Sequence, residues 1–224
     1  MIAVVKVGGA VPGAAGKVAA LAARGREVVV VHGGGPQISQ LCRRRGIEPR
    51  FVDGQRVTDA AVLEVVGEAL AEQRAILIEQ LERAGLDARA LPDALDGAPC
   101  GDPRLGLVGR ITAVDGIGLG AMLAAAVVPV VSPMAGGLNV NADHAAAAVA
   151  AALGASELIF LSDVPGVLDA GGHVIRRISA CQAPHLIDQG HVTGGMIPKL
   201  NAGTEALAQG VWRVWIGAET MVTA

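Results

Sequence analysis

The chain has 224 residues, of which 52% are hydrophobic and 17% are charged, and its 18 basic and 21 acidic side chains give a formal net charge of −3. This composition excludes a disordered chain, a collagen-like chain and a polycationic nucleic-acid binder. The length suits one large domain or two lobes, with enough residues to bury a sizeable core.

Apolar, β-branched runs recur along the chain and end in glycine or in a Ser-Pro or Ser-Asp pair. They predict buried parallel strands at residues 2–7, 27–31, 127–131 and 158–161. The segments between them carry Ala and Leu at helical spacing and predict helices at residues 14–24, 36–45, 60–84, 118–126, 143–153 and 201–209. Because strand and helix alternate, we expect an α/β fold with a central, mostly parallel sheet.

Local signals place several boundaries between these elements. Asp59 is expected to cap the start of the long third helix, and Gly85 to follow its end; Gly154 is expected to close a later helix. Pro, Gly and Asp are concentrated at residues 91–104, which we expect to form a loop or hairpin connection. We place a change of lobe close to residues 116–120.

The N-terminus and the cysteines indicate the compartment. Lys6 lies inside the first apolar run and no basic region precedes it, so this run reads as a strand rather than a signal peptide. Cys42, Cys100 and Cys181 lie far apart with no CxxC spacing, so we expect a cytoplasmic protein without a structural disulfide or zinc site. Apolar stretches such as residues 145–153 are shorter than the roughly 20 residues that a membrane-spanning helix needs.

Two glycine-rich turns, at residues 8–9 and 33–35, follow the first two predicted strands. Such turns expose backbone N–H groups that bind phosphate, although either one could be a tight turn without a ligand. Lys6 is costly to bury in a strand unless it meets an anion; the alternative is a lysine whose ammonium reaches water at the strand end. Lys199 precedes another predicted helix, and GxxxxGK[ST] is absent, so phosphate would be bound without a P-loop.

Several polar residues near predicted element ends are also candidates for a binding site. Asp143 opens an alanine-rich helix, where an N-cap is the simplest explanation. Asn139 and Asn141 alternate with an apolar residue, so both amides would face one side and could contact a polar ligand. Asp163 could be a turn residue, and Arg56 is suited to a bidentate carboxylate contact, although surface arginines are commoner.

Other motifs carry weaker signals. Residues 116–121 fit the dinucleotide-binding pattern GxGxxA, but the acidic residue expected about 20 positions later is missing from residues 128–137. No GxSxG motif is present, and Cys100 has no evident histidine partner. We expect five histidines to be surface or capping groups rather than metal ligands: His32, His144, His173, His185 and His191.

Six motifs occur in the order and approximate spacing of the amino-acid kinase family: VVKVGG, VVVHGGGPQI, GQRVTD, LNVNADHAA, LIFLSDVPGVL and GGMIPKLNA. The chain resembles this family from its first residue to about residue 216, and is closest to its acetylglutamate kinase branch. The resemblance implies a three-layer α/β/α sandwich, with an acyl-substrate lobe at residues 1–115 and a nucleotide lobe at residues 116–224. It also implies ATP, Mg²⁺ and a homodimer that pairs through the N-terminal lobe.

The resemblance assigns catalytic roles to residues of the glycine turns and the charged positions. Lys6 and Lys199 match two lysines that bind phosphate, and Asp143 matches the aspartate that orients both. Gly9 and Gly34 match the glycines that flank the transferred phosphoryl group. The implied reaction is ATP-dependent phosphorylation of the side-chain carboxylate of N-acetyl-L-glutamate, as in arginine biosynthesis.

The substrate-binding and nucleotide-binding assignments also follow from the resemblance. Arg56 and Asn139 match substrate-contacting positions, with Arg56 on the α-carboxylate, and Gly33 and Gly35 shape the loop around Gly34. Besides the two lysines, three residues lie in the stretch that contacts nucleotide: Ser162, Asp163 and Gly166. No residue is assigned to a metal.

Three other functions remain open at this point. One is a kinase for α-aminoadipate or glutamate linked to an acidic carrier protein, for which Arg50 and the arginines at residues 43–45 offer local positive charge. Another is a non-catalytic, ligand-binding member of the same fold, against which the intact Lys6, Asp143 and Lys199 argue. The third is a dinucleotide oxidoreductase, which rests on the GxGxxA match alone.

Overall fold

The computed structural model describes residues 1–8 and 11–224. Its helices are α1 (Ala14–Ala23), α2 (Gly35–Arg44), α3 (Ala60–Arg83), α4 (Gly116–Ala124), α5 (Ala142–Ala152), α6 (Ala183–Asp188) and α7 (Met196–Ala208). Its strands are β1 (Ile2–Val7), β2 (Glu27–His32), β3 (Phe51–Val52), β4 (Gln55–Arg56), β5 (Ala88–Ala90), β6 (Leu95–Pro99), β7 (Gly109–Val114), β8 (Val128–Val131), β9 (Met134–Ala135), β10 (Leu138–Asn139), β11 (Glu157–Leu161), β12 (Arg177–Ser179), β13 (Arg213–Ile216) and β14 (Thr220–Thr223).

An eight-stranded sheet with the order β12-β14-β13-β11-β1-β2-β8-β5 forms the centre of the fold. Its neighbouring strands run parallel except β13 and β14, which form an antiparallel hairpin. Short antiparallel pairs, β3–β4, β6–β7 and β9–β10, lie outside it. The expected α/β fold with a mostly parallel sheet is confirmed.

The strand order positions a site at the end of β1. From β1 the chain first builds outward through β2 to β5 and β8, and later returns to pair β11 with the other side of β1. The carboxyl ends of β1, β2 and β11 therefore meet where the order of the sheet reverses, which is where open α/β sheets bind ligands. Lys6 and the turn at residues 33–35 lie at this edge.

The core consists almost entirely of aliphatic side chains, as the 2% aromatic content requires. On one face of the sheet, Val29, Val31 and Leu158 pack into a cluster that includes residues of α4, α5 and α7. On the other face, Val5 and Val30 pack against α1 and α3. Both faces of the N-terminal half are covered by helices, whereas Ile159 and Trp215, further along the second face, are only half-buried.

Most predicted boundaries agree with the structure to within a few residues, and Asp59 does cap α3 by accepting a hydrogen bond from Val62 N–H. Residues 91–104 include β6, which pairs with β7 as a hairpin. The three cysteines are free thiols. None of the helices within residues 1–8 and 11–224 combines the length and the hydropathy that a membrane crossing requires.

The GxGxxA segment begins α4 but does not form a dinucleotide turn. It follows β7, which pairs antiparallel with β6 outside the central sheet, whereas the dinucleotide motif follows a parallel strand. Asp115 caps the helix by accepting a hydrogen bond from Gly118 N–H at 2.8 Å. A carboxylate therefore occupies the helix N-terminus, where a phosphate would otherwise bind.

Candidate active site

A cavity of about 400 Å³ opens at the carboxyl ends of β1 and β2. The residues that line it come from the glycine turn after β2, the β3–β4 hairpin, the start of α5 and the start of α7. Eight residues predicted for the site line this cavity together: Lys6, Gly33, Gly34, Gly35, Arg56, Asn139, Asp143 and Lys199. Segments far apart in sequence thus converge on one pocket.

Asp143 lies between the two lysines. Its Oδ1 lies 2.9 Å from Lys6 Nζ, in an ion pair that does not have the geometry of an aligned hydrogen bond. Its Oδ2 lies 3.5 Å from Lys199 Nζ. The side chains of Lys6 and Asp143 are only 8% and 6% exposed, so this ion pair is largely removed from water. A carboxylate in this position holds the two ammonium groups on either side of it.

The position of Asp143 follows from the way α5 begins. Asn141, not Asp143, is the N-cap, and its Oδ1 accepts hydrogen bonds from Asp143 N–H at 2.8 Å and His144 N–H at 3.3 Å. Asp143 lies in the first helical turn, where the helix dipole favours a negative charge. The N-cap explanation of Asp143 is therefore wrong, because a residue two positions earlier caps the helix and leaves this carboxylate for the lysines.

Lys199 lies in the first turn of α7 and also donates a hydrogen bond to the Gly195 carbonyl at 3.1 Å. Burial lowers the pKa of Lys199, and the negative charge of Asp143 opposes that shift. The positive charge of Lys6 lowers the pKa of Lys199 further, whereas the negative charge of Asp163 raises it. Asp143 therefore counteracts, at Lys199, the effects of burial and of the neighbouring ammonium group of Lys6.

Arg56, in β4, is buried, and only one of its two terminal nitrogen atoms has hydrogen-bond partners among the described residues. Its Nη2 donates to the Gly35 carbonyl at 3.0 Å and to Ser39 Oγ at 2.8 Å, and its guanidinium lies 4.8 Å from the Phe51 ring centroid. Nη1 is buried without a hydrogen-bond partner among the described residues. Burial also lowers the pKa of Arg56. An unpaired donor on a buried cation is suited to a carboxylate ligand.

Asn139 is held by a residue that the sequence did not single out. Its Nδ2 donates to Thr58 Oγ1 at 3.0 Å, and the Thr58 hydroxyl donates to the Arg56 carbonyl at 2.9 Å. Thr58 is completely buried. It thus connects two pocket residues that lie 83 positions apart, and only the folded chain places them together.

The glycine turn brings backbone against the charged groups. A Cβ at Gly33 would lie 3.8 Å from Lys6 Cε and 3.7 Å from Ala142 Cβ, in ordinary contact. A Cβ at Gly34 would lie 3.1 Å from Leu70 Cδ2, which is tight. Gly34 is the N-cap of α2 and Pro36 has no N–H, so the donors that this helix start places beside the pocket are the N–H groups of Gly34 and Gly35. These donors and the lysines surround a volume suited to an anion.

Not every predicted site residue lines this cavity. Gly9 lies outside the described residues. Ser162 and Asp163 line a different cavity, which also includes Trp215. Gly166 packs against the Thr220 side chain, with no room for a Cβ between them. Of these, Asp163 influences the pocket through its negative charge, which raises the pKa of Lys199.

The expectation that His32 is a surface or capping group is wrong, since only 2% of it is exposed. It is the last residue of β2, and its strand continues the buried apolar run into the glycine turn. Burial lowers the pKa of His32 to about 4. The sequence signal for its burial was the position of His32 between VVVV and GGG, which resembles the position of Lys6 in the first strand.

Comparison with known proteins agrees with this geometry. The model of the Amino acid kinase family matches residues 1–218. The chain is 44% identical to the acetylglutamate kinase of Solibacter usitatus, over 89% of this chain and 81% of that protein. It is 39% identical to the acetylglutamate kinase of Geobacillus stearothermophilus, over 95% of this chain and 88% of that protein.

Solved structures give the same result for the fold. The crystal structure of smu.665 from Streptococcus mutans superposes with a TM-score of 0.92 at 30% identity, covering 100% of this chain and 98% of that one. Carbamate kinase from Giardia lamblia, bound to AMP-PNP, superposes with a TM-score of 0.74 at 14% identity, covering 99% and 98%. At that low identity the similarity concerns the fold alone.

Proposed function

The chain belongs to the amino acid kinase family, and from this premise we propose that it transfers the γ-phosphoryl group of ATP to the side-chain carboxylate of N-acetyl-L-glutamate. The product would be an acyl phosphate, as in arginine biosynthesis. The observation that carries the proposal is the pair of ammonium groups, from β1 and α7, that share the buried carboxylate of Asp143. The names of the relatives, acetylglutamate kinases at 39–44% identity, support the choice of substrate.

The reaction needs positioning and charge neutralisation more than proton transfer. The attacking group is a carboxylate that is already ionised at neutral pH, so no general base is required. Lys6 and Lys199 would stabilise the negative charge on the transferred phosphoryl group and on the leaving oxygen. Asp143 would hold the two ammonium groups in place. The N–H groups of Gly34 and Gly35, at the start of α2, would add donors to the same oxygens.

Arg56 would bind the α-carboxylate of the amino acid. Its Nη1 is buried and unpaired among the described residues, while Nη2 anchors the guanidinium to Gly35 and Ser39. Asn139, fixed by Thr58, would contact the same substrate. Because Arg56 and the two lysines are held in fixed positions around the pocket, they would favour a substrate whose chain length places its two carboxylates at both positions.

The pocket residues also fit the phosphates of ATP, since buried lysines and glycine N–H groups are typical phosphate ligands. No group of three or more His, Cys, Asp or Glu side chains suited to a metal lies within residues 1–8 and 11–224. Mg²⁺, which the resemblance implies, would neutralise phosphate charge when bound with ATP. Ser162, Asp163, Gly166 and Gly9 stay assigned to the nucleotide side by resemblance.

The lobe assignment belongs to the same proposal. Residues 1–115 would bind the acyl amino acid and pair two subunits, and residues 116–224 would bind nucleotide. Arg56 and the glycine turn at residues 33–35 fall in the first part, and Lys199 in the second. Sedimentation velocity of the purified chain would test the dimer.

The test of the function is a hydroxamate assay, in which hydroxylamine traps the acyl phosphate. The purified protein is given ATP, with and without Mg²⁺, and one of four acceptors: N-acetylglutamate, glutamate, aspartate or carrier-linked α-aminoadipate. Hydroxamate formed only from N-acetylglutamate supports the proposal. Product from the carrier-linked acceptor alone would replace it with the carrier-linked function. No product from any acceptor, with ATP still bound, would indicate a ligand-binding member of the family.

A further inference from the structure

His32 lies on the face of the sheet opposite to Lys6, directly beneath the glycine turn. Its Nε2 lies 2.7 Å from Ser132 Oγ, and its Nδ1 lies 3.3 Å from the Gly33 carbonyl oxygen. Ser132 Oγ also accepts a hydrogen bond from Arg74 Nη1 at 3.3 Å. A chain of contacts therefore runs from α3, through the end of β8, to the backbone of the turn.

The direction of the hydrogen bonds in this chain is fixed by what each group can do. A carbonyl oxygen only accepts, so Nδ1 of His32 must carry the proton that it donates to Gly33. In a neutral imidazole, Nε2 is then the acceptor, and the Ser132 hydroxyl must donate to it. The lone pairs of that hydroxyl remain available for the Arg74 guanidinium, which only donates. One tautomer satisfies all three contacts.

Burial favours the neutral form that this assignment requires. His32 is 2% exposed, and burial, aided by the positive charge of Arg74, holds its pKa near 4. The imidazole is therefore neutral at the pH of the cell interior.

The contact with Gly33 sets the orientation of the next peptide group. No described peptide bond is cis, so the Gly33 carbonyl and the Gly34 N–H point in opposite directions within their shared peptide plane. With the carbonyl held towards His32, the N–H is directed to the other face, where Lys6 and Asp143 lie. Gly34 N–H has no hydrogen-bond acceptor among the described residues.

We propose that His32 is a positioning residue, which holds the Gly33 carbonyl so that Gly34 N–H donates to the phosphoryl group in transit. Ser132 and Arg74 fix the tautomer and the ring orientation. The inference rests on the proposed function, because it needs a phosphoryl group in the pocket. It adds a role for three residues on the opposite face of the sheet from the lysines.

Three substitutions of His32 distinguish a role in orienting the Gly33 carbonyl from a role in packing the core. His32→Leu fills the buried position with an apolar side chain and removes both nitrogen atoms. His32→Asn places an amide nitrogen near the position of Nδ1, so it can still donate to Gly33. His32→Gln places its amide further out, near the position of Nε2, so it can contact Ser132 instead. The readouts are kcat, KM for each substrate and the melting temperature.

Deleting one donor to a transition-state oxyanion costs about 10²–10³ in kcat, and misdirecting one should cost somewhat less, about 10- to 100-fold. We expect that loss in His32→Leu with little change in either KM. His32→Asn should recover most of the lost kcat, and His32→Gln should not. A kcat that falls equally in the Asn and Gln variants, in step with their melting temperatures, would overturn the proposal, as would full activity of His32→Leu.

A second measurement uses the wild-type protein, so it requires neither turnover nor a His32 variant that folds. In ¹⁵N spectra of the wild-type protein at neutral pH, His32 should show a protonated Nδ1 and an unprotonated Nε2. The opposite tautomer would overturn the proposal even if every kinetic result agreed. If the wild-type protein phosphorylates no acceptor, the proposed function fails instead, and the two failures are distinguishable.

Discussion

Replacing Arg56 by lysine keeps the positive charge and removes the second nitrogen of the fork. In the wild-type protein, Nη2 is occupied by Gly35 and Ser39, while Nη1 is buried and has no partner among the described residues. A lysine ammonium can bind Gly35 and Ser39 or reach a substrate carboxylate, but its single nitrogen cannot occupy both places. If Arg56 binds the α-carboxylate as proposed, Arg56→Lys therefore removes one charge-assisted hydrogen bond to the substrate.

The magnitude follows from that single bond. A hydrogen bond to a charged group contributes about 1.5–3 kcal/mol, which corresponds to roughly a 10- to 100-fold rise in KM for N-acetylglutamate. Because the α-carboxylate does not react, the bond is equally strong in the ground state and the transition state. We therefore expect kcat and KM for ATP to stay close to their wild-type values.

The assay is steady-state hydroxamate formation with N-acetylglutamate varied at saturating ATP, and then with ATP varied. Arg50→Lys is the matched control, since Arg50 is a nearby, exposed arginine that does not line the pocket. An unchanged KM for N-acetylglutamate, or a rise confined to KM for ATP, would refute the assignment of Arg56. Equal effects of Arg50→Lys and Arg56→Lys would also refute it, because an arginine outside the pocket would then matter as much as Arg56.

Three further predictions concern the charged centre, the buried histidine and one glycine. Asp143→Asn should lower kcat by about 10²–10³, because two lysines lose the charge that holds them; steady-state kinetics would contradict this if kcat stayed near the wild-type value. The pKa of His32 is about 4, against an ordinary value of 6.5 that applies when the chain is unfolded. The contribution of His32 to stability is therefore complete above pH 6.5 and is lost towards pH 4, by about 3 kcal/mol; urea unfolding measures this, and His32→Leu should lack it. Gly106 has φ of +70°, and a Cβ there would lie 2.5 Å from the Thr58 carbonyl oxygen, so Gly106→Ala should destabilise the fold by more than about 2 kcal/mol. Gly101→Ala is the control in calorimetry, because Gly101 has φ of +90° with nothing within 4 Å of a Cβ, and an equal loss of melting temperature would show that the clash is unimportant.

The central strands could be predicted because their signals are local. An apolar β-branched run that ends in glycine can be recognised within seven or eight residues, and β1 and β2 follow that pattern. Lys6 stood out for the same reason, since a cation inside such a run needs an anionic partner. The caps of α3 were equally local. Strands of two or three residues, such as β9 and β12, give no comparable pattern.

The partners within the site could not be predicted from such patterns. The contact of Asn139 with Thr58 joins residues 81 positions apart, and that of His32 with Ser132 joins residues 100 apart. No periodicity predicts these pairs, because the strand order of the sheet decides which segments meet. Asp143 shows the limit clearly, since its sequence position fits an N-cap and only the structure gives that role to Asn141.

The charge balance of the pocket explains why these residues form a binding site rather than a structural ion-pair network. Among the residues that line it, Lys6, Lys199 and Arg56 are cations and Asp143 is the single anion, so the lining carries a net charge of 3 − 1 = +2. Burying charge without compensation is costly, and a network selected for stability would contain matching carboxylates. Two anionic groups would neutralise the pocket, one at the lysines and one at Arg56. A phosphoryl group at the first position and an α-carboxylate at the second meet that requirement, and each reduces the cost of burying the cations that bind it.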